Sequence, residues 1–164
     1  MKKFIITALL AALPLVTYAQ TTAFDRFENV EGIETVSVNK KMFEMAGSLK
    51  TPEGKEQMQK YVDMAKGIES LRVYSTAEKK HKKEMSSAVT DYLKQNLLEE
   101  LVSINSEDAK VKIYVNKGGD ATHITECLVF VENLKKKEET VLVSMTGDIN
   151  LKDLDLDEIK NSKK

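Results

Sequence analysis

Tryptophan is absent from this 164-residue chain, while cysteine occurs once and histidine and proline twice each. Each shortage closes a class of chemistry. A single cysteine, Cys127, cannot form an internal disulfide, so its thiol is buried, free, or paired between chains. A zinc site wants three or four ligands, and one Cys with two His falls short unless carboxylates complete the set. Without Trp there is no broad aromatic platform for a sugar ring. The chain also holds no G-x-S-x-G nucleophile elbow and no glycine-rich phosphate loop. Charge of one sign is lacking as well: 25 Lys and Arg stand against 26 Asp and Glu. That balance offers no electrostatic footprint for nucleic acid.

Long apolar runs are missing except at the start, where "MKKFIITALLAALPLVTYAQ" places Lys2 and Lys3 before the apolar stretch Phe4 to Val16, followed by the small-residue segment Thr17-Tyr18-Ala19. This is the pattern of a secretory signal peptide over residues 1–19. The run is shorter than the roughly 20 residues that a spanning helix needs, so stable membrane insertion is not expected. Removing the leader leaves residues 20–164 as one domain, with 23 basic residues against 26 acidic ones. Its expected location is outside the inner membrane, periplasmic or secreted. A domain of this size can bury a core without disulfides or metals, and no cofactor is implied.

What is present is an alternation of strand and helix patterns. "IETVSVNK" is β-branched and reads as a strand over 33–39, running into a short helix in "KKMFEMAGSL" that Gly47 ends. Thr51, Pro52 and Glu53 open a helix over 52–66, with Met58, Tyr61, Val62 and Ala65 at helical spacing. "ESLRVYST" alternates as a half-buried strand does. Ser75 and Glu78 fit a capping box for a long helix running from Ala77 through Ile104, with a solvated, lysine-rich start that includes His81. Three strands, 110–116, 122–132 and 140–146, then form an antiparallel meander closed by Gly147-Asp148. Asn150 is placed to cap a short last helix carrying Leu151, Leu154 and Ile159. The architecture expected is α+β: a single mixed, mainly antiparallel sheet of about five strands with helices packed on one face.

The blocks "VSVNKKMFEMAG", "ESLRVYST", "VKIYVNKGGDATHITECLVFVEN" and "VLVSMTGDINL" together resemble the bacterial domain-of-unknown-function 4252 family. None of them is a catalytic signature. The resemblance implies a small exported protein, often lipid-anchored in that family, and implies no activity. Gln20 stands where an acylated cysteine would be needed, so anchoring does not carry over.

Several constellations invite sharper readings. His123 and Cys127 lie four residues apart in an expected strand, which separates them by about 13 Å, too far for a nucleophile and base. Asp153, Asp155 and Asp157 match the start of a calcium loop, but Glu158 occupies the position that needs Gly. Met42 and Met45, one helical turn apart with Met58 and Met64 nearby, are soft thioethers of the kind that selects Cu(I). "LRVYST" and "VKIYVN" share an apolar-basic-apolar-Tyr pattern. If their strands were neighbours, Leu71, Val73, Val111 and Ile113 would face the core and Arg72, Tyr74, Lys112 and Tyr114 would form a basic and aromatic patch for an envelope protein partner. The function these features support is an exported, non-catalytic binding or signalling module. A ligand-binding or Cu(I)-binding protein using the Met-bearing helices is the alternative, and an enzyme comes third.

Overall fold

The computed structural model describes residues 23–48, 65–117, 122–133, 135 and 138–150. Among these residues six strands form one antiparallel sheet: β1 (Glu34–Asn39), β2 (Ile68–Thr76), β3 (Glu99–Asn105), β4 (Ala109–Lys117), β5 (His123–Asn133) and β6 (Thr140–Asn150). Helix α1 (Lys40–Ser48) follows β1, helix α2 (Lys79–Gln95) follows β2, and a 3-10 turn, Asp25–Phe27, precedes them. The fold class is therefore α+β. The leader, most of the helix expected over 52–66, the Gly118-Gly119-Asp120 turn and the whole segment beyond Asn150, with its acidic run, lie outside the described residues.

The strand order is β1-β2-β6-β5-β4-β3. The last four strands in the chain are a plain meander, and β2 and β1 are added beyond β6. α2 must therefore carry the chain from β2 to the opposite edge. Its 17 residues span about 25 Å at 1.5 Å per residue, against about 19 Å for four strand spacings, so it crosses the whole face.

Period-two alternation gives the sheet two different sides. On one, Tyr74, Leu128, Phe130 and Leu142 pack against Met85, Ala88, Val89 and Tyr92 of α2 and against Phe24 and Phe27 of the N-terminal turn. Phe24 lies over Tyr92 with ring centroids 5.3 Å apart, and Phe27 meets Tyr74 edge-on at 5.9 Å. On the other side a cross-strand row runs Val36, Val73, Val143, Val129, Ile113, Val102 through all six strands. Beside it lies the row Leu71, Met145, Cys127, Val115. Phe43 of α1 packs against this second cluster.

Two expectations about α2 need correction. It does not continue to Ile104: Asn96 ends it, its backbone N–H reaching Tyr92 O at 3.0 Å and its side-chain amide the same oxygen at 2.9 Å. The chain then enters β3, the strand at the far edge of the sheet, so that Leu97 is 95% exposed where a helical stripe would have buried it. Nor does the Ser75–Glu78 capping box form. Thr76 Oγ1 accepts from the Glu78 N–H at 3.1 Å and donates to Gly32 O at 2.6 Å, tying the helix start to the turn before β1.

Candidate functional site

Arg72, Tyr74, Lys112 and Tyr114 share one face of the sheet but form no patch. Tyr74 and Lys112 lie in one cross-strand row with Leu142 and Phe130 between them, and Arg72 and Tyr114 lie in the next with Ser144 and Leu128 between. β2 and β4 are three strand spacings apart, about 14 Å. The side is also opposite to the one expected. Leu71, Val73 and Ile113 face away from α2, while Tyr74 is fully buried beneath it and Tyr114 packs at the margin of the same cluster. Alternation distinguishes two sides of a strand without saying which one a helix covers. Here the basic residues on the covered side are compensated by carboxylates distant in the chain. Arg72 Nη1 pairs with Asp25 and, at 3.1 Å, with Glu28 from the N-terminal turn. Lys112 Nζ meets Glu100 of β3 at 3.2 Å. Burial pushes the Tyr74 phenol pKa up, against the opposing pull of Arg72.

A second polar pair, part-buried, gives no local signal in the sequence. Tyr92 of α2 donates to Glu126 Oε1 of β5 at 2.5 Å. Burial pushes the Glu126 carboxyl up, while hydrogen bonds from Tyr92 and Asn116 pull it down. The tyrosine itself is raised by burial and by the carboxylate it binds. This bond pins the last turn of α2 to the sheet. His81, expected in solvent, is also buried. Its Nδ1 lies 2.7 Å from Glu84 Oε2 and its Nε2 3.5 Å from Glu78 Oε2. The bond from His81 holds Glu84 below the usual carboxylate range.

His123 opens β5 and Cys127 sits four residues along it, between Val115 and Met145 on the neighbouring strands. Burial, with a smaller contribution from the Glu126 charge, pushes the thiol pKa up to about 11. At pH 8 the thiolate fraction is then about 100-fold below that of an ordinary cysteine. Native protein is expected to react with a bulky disulfide reagent at least that much more slowly than urea-unfolded protein. Stopped-flow labelling checks this, and fast native labelling would place the thiol at the surface. Among the described residues no group of three or more His, Cys, Asp or Glu is arranged to hold a metal. Met42 and Met45 on α1 are 51% and 67% exposed, so they do not fill the core. Met58 and Met64 lie outside the described residues.

One groove brings polar groups together from both layers. Along α2, Lys79, Lys82, Lys83 and Ser86 recur at i, i+3, i+4 and i+7 and form one wall. The end of β5 and the start of β6 form the other, through Glu132, Asn133 and Thr140. Lys82 Nζ donates to Lys135 O at 3.1 Å and to Glu138 O, tying these two backbone positions between β5 and β6 to the helix. In the sequence these lysines look like a solvated helix start; only the fold places strand residues across from them.

Among the described residues no helix is long and apolar enough to cross a membrane. No curated protein and no solved structure matches the chain. Residues 27–156, and with them the whole sheet and α2, match one family model, and the chain belongs to that family, the domain of unknown function DUF4252.

Proposed function

We propose that the protein is an exported, non-catalytic binding module that receives an extended segment of an envelope protein along the free edge of β1. The observation that carries this reading is the character of that edge. β1 pairs with β2 in unbroken register from Glu34 to Asn39 and, among the described residues, has no strand on its other side. Edge strands are ordinarily guarded by lysine, proline or a bulge, and "ETVSVN" has none of these. Val36 is 57% exposed on it, at the end of the aliphatic row that crosses the sheet. The chain passes directly from β1 into α1, where the exposed Met42 and Met45 supply soft, adaptable contact area beside the edge. Addition of a strand to such an edge uses backbone hydrogen bonds for affinity and alternate side chains for specificity. The other edge strand, β3, is less suited, because its register shifts between Glu100 and Val102.

A photoreactive residue at position 36, used in the native envelope, is expected to capture one discrete partner. Ser37→Lys in the same protein is expected to reduce that capture at least tenfold while the melting temperature stays within a few degrees, since an exposed edge substitution costs little stability. Undiminished capture by the folded variant would refute the edge reading. The same thioethers are the ones a Cu(I) site would use. Sub-nanomolar Cu(I) binding that is lost in Met42→Leu with Met45→Leu would favour that alternative.

A further inference from the structure

We infer that the groove between α2 and the adjoining ends of β5 and β6 is a binding site for a tetrahedral oxyanion, the phosphate or sulfate group of a small ester. The site lies away from the β1 edge and stands independently of the partner reading. Its cavity is about 290 Å³, at the small end of ligand sites. Lys79 and Lys83 project from one wall, and among the described residues neither has a carboxylate partner. Lys82 is held by two backbone carbonyls, which orient its charge without neutralising it. The opposite wall supplies the second observation. Thr140 is 0% exposed, and among the described residues its Oγ1 has no hydrogen-bond partner. A buried hydroxyl without a partner is uncommon in folded proteins, and here it belongs to a residue that lines a lysine-walled groove.

The donor set decides the ligand class. Ammonium groups from the helix and a hydroxyl from the sheet approach from different directions. A tetrahedral oxyanion, with acceptor oxygens on every side, satisfies them better than a planar carboxylate does. Among the described residues that line the groove, Glu132 is the one acidic group. Its carboxylate disfavours a polyanion such as nucleic acid or an acidic peptide, and accepts a hydrogen bond from a hydroxyl on the molecule that carries the oxyanion. A phosphate or sulfate monoester of a hydroxylated small molecule meets both conditions.

The test is an NMR titration of the 15N-labelled protein at low ionic strength, in separate arms, with inorganic phosphate, inorganic sulfate, glucose 6-phosphate and acetate. Saturable shifts are expected at the amides of Lys79 to Ser86 and of Asn133 and Thr140 with the tetrahedral anions, tightest with the sugar ester, and the phosphate and sulfate arms show which oxyanion is preferred. Lys79→Gln with Lys83→Gln should weaken binding at least tenfold. Thr140→Val, which keeps the volume and removes the hydroxyl, should weaken it about fivefold by the usual worth of one hydrogen bond. Its melting temperature should be unchanged or raised, and Thr140→Ser should restore binding. The inference is overturned if no arm saturates, if acetate produces the same shifts with the same affinity, or if the lysine and threonine variants bind as the unmodified protein does.

Discussion

Tyr74→Ala is expected to destabilise the protein by about 3–5 kcal/mol, the range for removing a large aromatic from a packed core. The ring is fully buried and lies in register with Leu142 of β6, with Phe27 edge-on at 5.9 Å. Alanine leaves a cavity that neither the sheet nor α2 can close without shifting. It also removes the contact by which the N-terminal turn is held, and an aromatic pair of this kind adds about 0.5–1.5 kcal/mol beyond its area. Domains are stable by about 5–15 kcal/mol, so the loss consumes a large share of the total. Urea unfolding followed by far-UV circular dichroism measures it. Tyr114→Ala is the informative companion. That side chain is only partly buried, at the margin of the same cluster, and its loss is expected to cost less than half as much. Equal, small effects at both positions would mean that the two tyrosines lie on an open face after all.

That contrast marks where the sequence stops being informative. For every strand but β3, existence and alternation were legible because they are local. "ESLRVYST" and "VKIYVN" alternate over the stretches that form β2 and β4, and β-branched runs flanked by polar turns mark β1 and the meander. What depended on long-range packing was not legible. Leu97, Leu101 and Ile104 satisfy a helical stripe as well as an edge strand. β3 forms because its backbone pairs antiparallel with β4 from Glu99 to Asn105, a long-range pairing that the local pattern does not show; the ion pairs of Glu99 with Lys117 and Glu100 with Lys112, at 2.5 and 3.2 Å, add little at the surface. Arg72 reads as a surface residue until Asp25 and Glu28 arrive from the N-terminal turn. The spacing of Lys79, Lys82, Lys83 and Ser86 was visible, but Asn133 and Thr140, which make a groove of it, come from the far end of the meander. The proposed partner patch failed for the same reason: it needed β2 beside β4, and the sheet inserts β6 and β5 between them.

Gly147→Ala is expected to cost a comparable amount, about 3–5 kcal/mol, although it adds one methyl group and removes none. The sequence pattern places this glycine at the close of the last strand, yet β6 runs on through it to Asn150. It does so by way of an irregularity felt on both sides. The register shifts between Ile68 and Ser70 of β2 and again between Ile124 and Glu126 of β5. Gly147 has φ +150°, a conformation that side chains other than glycine rarely adopt. A Cβ there would stand 2.1 Å from Gly67 O, 2.9 Å from Glu69 N and 2.9 Å from Ile68 Cα. All three are backbone atoms, so no rotamer change relieves the contact. Gly67 O also accepts the Asp148 N–H at 2.8 Å, the bond that holds the bulge to β2. Displacing that carbonyl breaks the bond and pulls Ile68 away from Ile124 and Ile149, which are 6%, 0% and 1% exposed in the second cluster. The measurement is a urea titration together with hydrogen exchange at the Asp148 amide, where protection should collapse in the variant. Asp148→Ala is the control: its side chain is exposed and only its backbone N–H is used, so it should cost under about 0.5 kcal/mol. A Gly147→Ala variant as stable as this control would show that β6 ends at the glycine, and that Ile149 is buried by some route other than the bulge.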